Sequence, residues 1–475
     1  MPRTNTIATL NAPALSIPAE ERAWSRYRLA IAAFTPAPDE LMTPQAQWPR
    51  VPAGSPYRGL ALASLEANRT AIEHAHAAAA MPRLGYILGV HIEPDSPWAK
   101  QGKDIQPLED PDWPDNPPAI GILLPSLGEF RKFSHLLILD CMLAREQSDG
   151  PRIAKNIRTI LGMAEHTREL PFLISDLVAI ALATRACEEI HEVLHHTPDL
   201  LSQQELIALA HSLSAFPRDK DEIVRYASEA SIFDDTLQRV YTDDGRGNGR
   251  VTAKGMRFMH EIISGPDAHT QRGLADPIAT AMLADRASMK REYDALMAAA
   301  IAAARRPLWT WSGDPGEHID ARTSDFLWRQ RYAIIADLIA AVGKAASAAH
   351  RYTQTRDATL VAIAVTLSKR RTGAYPASLE SLVPDLLPAI PPDVFDGEPI
   401  RYTLIDGLPV IYSVGVDRKD DGGRRPKRPD SVFVGAWKPR EQVDALMAVS
   451  TSRDNIDGDW VLFPPLPPPP PPTED

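Results

Sequence analysis

The sequence predicts a mainly α protein in which an antiparallel helical array is followed by a small α+β module. Two observations carry this prediction. From Pro125 onward, apolar residues recur at helical offsets through a long succession of segments separated by only a few residues, and breaks that short fold consecutive helices back on one another. Near the C-terminal end the period changes from helical to strand-like, in the runs Pro399–Leu404 and Pro409–Val414, and the Asp406-Gly407 dipeptide between them is a hairpin-turn signal.

Taken in order, residues 1–20 are polar, interrupted by proline, and read as a disordered N-terminus. The helical array is expected over residues 21–350, with a sub-boundary near 265. Its first helix is placed at Glu21–Phe34, and a Pro-rich connector follows through Pro56. Leu60–Ala80 is Ala-rich with Leu62, Leu65 and Ile72 at helical offsets, and predicts one helix. Proline and aspartate crowd Pro94–Pro118, which reads as extended loop. Pro125–Arg145 sets Leu127, Phe130, His135, Leu136 and Leu139 on one face and stops at Ser148-Asp149-Gly150-Pro151. Arg152–His166, Pro171–His195, Leu201–Ser214, Lys220–Tyr241, Ala253–Ile263 and Pro277–Arg305 continue the pattern. Thr323–Arg371 reads as a long helix broken near Gly343 or Thr353.

The C-terminal module is expected over 351–463. It takes the end of that helix into the Gly373-Ala374-Tyr375-Pro376 break, then an amphipathic turn with Leu379, Leu382 and Val383 on one side, then the two strands. A short helix at Pro439–Val449 and a strand-like Asp459–Phe463 complete it. Residues 464–475 read as a polyproline II tail, because proline fixes φ and donates no ladder hydrogen bond.

Composition narrows the function classes. A chain of 475 residues with 44% hydrophobic and 24% charged residues is an ordinary globular protein, long enough for two or three cores. A formal net charge of -11 argues against a general nucleic-acid binder, which needs basic surface to neutralise phosphates. The two cysteines, Cys141 and Cys187, sit in helical runs without metal-ligand or redox spacing and read as small buried apolar residues. The most apolar runs, Ile174–Ala183 and Ala333–Val342, contain Asp176 and Asp337 and fall short of the roughly 20 apolar residues that span a bilayer. The N-terminal residues lack the charged and apolar regions of a signal peptide. The chain as written is therefore expected in the cytoplasm, or outside it if an anchor lies upstream.

From Tyr375 to Trp437 the order of parts, a helix into a Tyr-Pro break, an amphipathic turn, a hairpin and an Asp/Gly-rich loop, resembles the C-terminal module of the major pseudopilin of type II secretion. The resemblance implies a small sheet led into by a long helix, and an Asp-lined calcium loop. The phrases SLEANR, PFLISDLVAIALA, YTDDGRGNGRVT and YPASLESLVPDLLP also resemble a group of uncharacterised bacterial proteins with the same two-part layout. Members of that group often begin with a membrane anchor, a pattern from which this chain departs.

Four groups of residues on loops or helices carry residue types suited to metal chemistry. In the C-terminal module Asp417, Asp420, Asp421 and Asp430 bracket Gly422-Gly423, and hard carboxylate oxygens on a tight loop suit Ca²⁺. Arg424, Arg425, Lys427 and Arg428 enter the same loop, so its acids are met either by calcium or by these bases. His191-Glu192-Val193-Leu194-His195 is an HExxH string, in which helical pitch sets His191 and His195 on one face to hold Zn²⁺ and Glu192 acts as the catalytic base. Glu189 and the early Thr197-Pro198 stop fit that pattern poorly, and no third ligand is evident. The alternative is a polar helix end, on which His191→Ala is expected to cost little. Two ExxH strings, Glu73 to His76 and Glu188 to His191, suit a di-metal bundle only if two more glutamates converge. Finally, Asp244, Asn248 and Gly249 occupy positions of a degraded EF-hand-like loop, where a Gly-rich turn that caps the next helix is the simpler reading.

The sequence thus favours a non-enzymatic scaffold or interaction protein with a protein partner, linked to bacterial envelope or secretion machinery. Calcium is the candidate cofactor where the loop's own bases do not meet its acids, and zinc is implied only under the alternative. The alternative is a zinc-dependent hydrolase using the HEVLH helix.

Overall fold

The structure, a computed structural model, describes residues 4–89, 116–122, 124–217, 223–264, 282–310, 322, 324–338, 342–425 and 458–465. Within them the chain is mainly helical, with fourteen α-helices and one three-stranded antiparallel sheet. The helices at the centre are α5 (Pro125–Glu146), α6 (Gly150–Thr167), α7 (Leu173–His196) and α8 (Gln203–Ala215); the first three pack on one another, and α8 packs on α6. Their boundaries follow from the punctuation in the sequence. Pro occupies the first turn of α5, the Asp149 carboxylate accepts from Arg152 N at the start of α6, and Ser202 and Glu205 form a reciprocal capping box on α8. Gly150 is required by close approach, since a Cβ there would stand 2.2 Å from the Leu200 carbonyl oxygen.

The N-terminal part departs from expectation in two places. Residues 6–15, read as disordered, form helix α1 (Thr6–Leu15). Asn5 caps it, and the buried Asn11 exchanges hydrogen bonds with Leu88 N (2.7 Å) and Leu88 O (2.8 Å), a partner far along the chain that local reading does not reveal. After α2 (Trp24–Ala32), the helix expected over 60–80 is two helices, α3 (Arg58–Ala67) and α4 (Arg69–Ala79). Asn68 makes the break: fully buried, it bonds Thr35 N, Thr35 O and Ser64 O, the first two pinning the connector to the array.

Helices α9 (Ala227–Val240), α10 (Ala253–Ser264) and α11 (Arg286–Arg305) follow. The long helix expected from residue 323 is divided into α12 (Phe326–Arg331), α13 (Ala333–Leu338) and α14 (Val342–Thr372). The break expected near Gly343 falls just before it, since α14 begins at Val342 and residues 339–341 lie outside the described residues, whereas Thr353 does not break the helix. The hydroxyls of Thr353 and Thr355 bond back to Ala349 O and Arg351 O, so both stay helical.

Helix α14 organises the molecule. One part of its surface packs on α7 and α8, and another carries the sheet, so Ala358, Val361, Ala362, Ile363, Ala364 and Val365 are all buried. The sheet has the order β1 (Arg401–Ile405), β2 (Leu408–Ser413), β3 (Trp460–Phe463). Ile405 faces Leu408 across the turn, and Asp406 and Gly407 have φ of 52° and 76°, the double left-handed geometry that makes Asp-Gly a hairpin turn. Asp393, fully buried, fixes the sheet to its approach loop by accepting from Phe395 N (3.0 Å), Ser413 Oγ (2.8 Å) and Val414 N (2.9 Å). Gln354 on α14 accepts from Val394 N at 2.7 Å. The expected helix at 439–449, Asp430, most of the 94–118 loop and the tail beyond Pro465 lie outside the described residues.

Candidate functional site

The HEVLH string lies on the last turns of α7, where α14 and β3 cover it. His191 is 4% exposed, and its Nε2 stands 2.8 Å from Thr359 Oγ1. The Thr359 hydroxyl has a single proton and gives it to Thr355 O at 2.7 Å, so the imidazole donates through Nε2–H. That nitrogen has no lone pair left for a metal. Burial pushes the His191 pKa down to about 4, which keeps the ring neutral. Phe463 of β3 sets its ring edge-on to His191, centroids 5.6 Å apart, and also to His195 at 6.3 Å. The expectation of a solvated His191 is therefore corrected: the side chain is a core residue, covered by segments from far along the sequence. His195 and His196 are exposed, as a polar helix end requires.

Glu192, the candidate base, is engaged by Arg145 and by His196, each at 3.5 Å. Glu189 is fully buried, and Arg50 from the α2–α3 connector reaches it at 2.8 Å, an ionic contact without hydrogen-bond alignment. The charge that fitted a zincin poorly thus anchors a strap of chain across α7. The two ExxH strings do not converge, since α4 packs on α2 and α6 whereas His191 faces α14. Among the described residues no group of three or more His, Cys, Asp or Glu side chains is placed to hold a metal ion.

That statement includes the C-terminal loop as far as Arg425. Asp417 Oδ1 accepts from Lys419 N at 3.2 Å, and Asp420 Oδ1 accepts from Tyr412 Oη (3.0 Å) and Gly422 N (2.9 Å). Asp421 is ion-paired with Arg424 at 2.9 Å, while its second oxygen is buried without a hydrogen-bond partner. The acid at the centre is Asp459, fully buried, which accepts from Asp421 N (3.1 Å) and Gly423 N (2.8 Å). Burial, with Asp420 and Asp421 nearby, raises its pKa to about 6. Sequence reading missed it because it lies 36 residues beyond Gly423. The only local signal is the Asp457-Gly458-Asp459 string.

In the 243–249 loop backbone amides take up one oxygen each of Asp243, Asp244 and Asn248, and Arg286 pairs with the second oxygen of Asp243. Asp244 Oδ1 accepts from Arg246 N (2.8 Å) and Asn248 N (3.0 Å), and Asn248 Oδ1 accepts from Gly249 N and from Ala287 N at 3.1 Å. Asn248 therefore caps α11, and the next helix, α10, is capped by Thr252, whose hydroxyl accepts from Gly255 N at 2.9 Å.

One feature faces outward. At the β1–β2 hairpin tip Leu404, Ile405 and Leu408 are 41%, 43% and 54% exposed, and among the described residues β1 pairs only with β2. Pairing of Ile405 with Leu408, Thr403 with Val410 and Arg401 with Tyr412 turns the backbone polar groups of Tyr402 and Leu404 to the open edge. Compared with protein-family models, with curated proteins and with solved structures, the chain matches none.

Proposed function

We propose that the chain is a non-enzymatic interaction protein that engages a protein partner through its C-terminal hairpin, within bacterial envelope or secretion machinery. The observation that carries this reading is the hairpin tip, where three exposed aliphatic side chains adjoin a strand edge that no other described strand pairs. Proteins blunt such edges with charge or proline, or use them to pair with an added strand. Here Pro409 opposes Leu404 within the hairpin, so the open side of β1 keeps its donors. The link to secretion machinery rests on the order of parts, a long helix, a break, a hairpin and an acidic Gly-rich loop, that resembles a pseudopilin module. No helix among the described residues is long and apolar enough to cross a membrane.

The test places a photo-activatable cross-linking side chain at Ile405 of the full chain in cells, with the same group at the exposed Glu66 as control. The reading expects one discrete adduct from position 405, identified by mass spectrometry as an envelope or secretion component, and its loss with Leu404→Asp and Leu408→Asp together. Equal labelling from both positions would overturn it.

A further inference from the structure

A groove of about 360 Å³ opens where α3 and α4 meet α6, well away from the hairpin and independent of the function proposed for it. That volume lies within the range of small-molecule sites. Leu65 and Ile72, both buried, form its apolar floor. Asp140 is also in the lining, but its carboxylate is already held by Arg152 and by Asn156 Nδ2 at 2.7 Å, so that charge is met within the protein.

Three groups in the groove are left with unused capacity. His76 Nδ1 stands 2.7 Å from Thr159 Oγ1, whose proton goes to Lys155 O at 2.9 Å, so Nδ1 carries the imidazole hydrogen and Nε2 keeps its lone pair. Burial, and then the Lys155 charge, lower the His76 pKa to about 4, so the lone pair persists at neutral pH. The Lys155 ammonium and the Glu73 carboxylate make no hydrogen bond or ion pair among the described residues, and both are exposed. The groove therefore offers a fixed acceptor beside a cation, above an apolar floor. Glu73 on the same wall opposes a second negative charge.

We propose that this groove binds a small organic monoanion that carries a hydroxyl next to its anionic group, the anion on Lys155, the hydroxyl donating to His76 Nε2, and an apolar body against Leu65 and Ile72. Neither feature suffices by itself. An exposed Lys–anion contact contributes little in water, and the imidazole lone pair discriminates only ligands that have a proton to donate.

The experiment uses the full chain with selectively ¹⁵N-labelled histidine, the His76 signal being assigned by its disappearance in His76→Gln. Three matched probes are titrated: mandelate, which has carboxylate, hydroxyl and ring; phenylacetate, which lacks the hydroxyl; and phenylethylene glycol, which lacks the charge. The expected result is a saturable shift of the His76 Nε2 resonance with mandelate at about 1–10 mM, and about tenfold weaker binding of the other two. Lys155→Ala should abolish the mandelate response, and Lys155→Gln, which keeps the side-chain length, should do the same with an unchanged melting temperature. Absence of a saturable shift with mandelate, an equal response to phenylacetate, or an unchanged response in both Lys155 variants would each overturn the proposal.

Discussion

Replacing His191 with alanine should destabilise the protein strongly at neutral pH and hardly at all in acid. The side chain is 4% exposed, hydrogen-bonded to Thr359 and packed on Phe463, so its truncation leaves a cavity between α7, α14 and β3 and removes one hydrogen bond. Core truncations of this size cost about 2–4 kcal/mol. In the wild type the buried imidazole is neutral with a pKa near 4, below the roughly 6.5 of an unfolded histidine. Between those values the unfolded chain binds the extra proton, so the contribution is complete above about pH 6.5 and drains away as pH falls toward 4. The gap is worth on the order of 3 kcal/mol, similar to the truncation itself. Urea denaturation of wild type and His191→Ala from pH 7 to pH 4.5 measures this directly, because the other titrating groups are common to both chains. The stability difference should shrink steadily with acid, and the exposed His195→Ala should stay within about 0.5 kcal/mol of wild type throughout. A His191→Ala cost below about 1 kcal/mol at pH 7, or one that grows in acid, would refute the reasoning.

Two further outcomes follow from the C-terminal module. Asp393→Ala leaves the amides of Phe395 and Val414 without their acceptor inside the module, and should cost about 3–5 kcal/mol with loss of the near-ultraviolet signal of Trp460; a cost under about 1 kcal/mol would show that the loop repairs itself. Because Tyr412 and backbone amides already engage Asp420 and Asp459, and Arg424 pairs with one oxygen of Asp421, melting curves of the full chain with excess calcium and with excess chelator should superimpose, whereas a calcium-dependent rise that disappears in Asp417→Ala with Asp421→Ala would establish an ion in the loop.

What the sequence made visible is local. The start of α6 could be read because Asp149-Gly150-Pro151 is a signal complete within a few residues; the Ser202 and Glu205 capping box of α8 is equally local, although the sequence reading did not use it. The hairpin was visible because both residues of its turn need left-handed φ, and Asp-Gly is the dipeptide that accepts it. The break at Asn68 was hidden, since two of the hydrogen bonds that stabilise it come from Thr35. His191 was misjudged for the same reason: a histidine near a helix end looks solvated until Thr359 and Phe463, both far along the chain, close over it. Asp459, the acid at the centre of the C-terminal loop, is likewise brought in by strand pairing. Position along a helix predicts exposure only where nothing remote packs on it.

The central claim, that the HEVLH helix is a packing device and the chain acts as an interaction protein, is tested most directly by zinc affinity. The full chain, equilibrated with Zn²⁺ against a competing chromogenic chelator, should hold substoichiometric metal, and the same amount in wild type and in His195→Ala, which removes the exposed imidazole and leaves the buried His191 contact intact. One tightly held zinc per wild-type chain, lost in His195→Ala and in Glu192→Gln, would contradict the account.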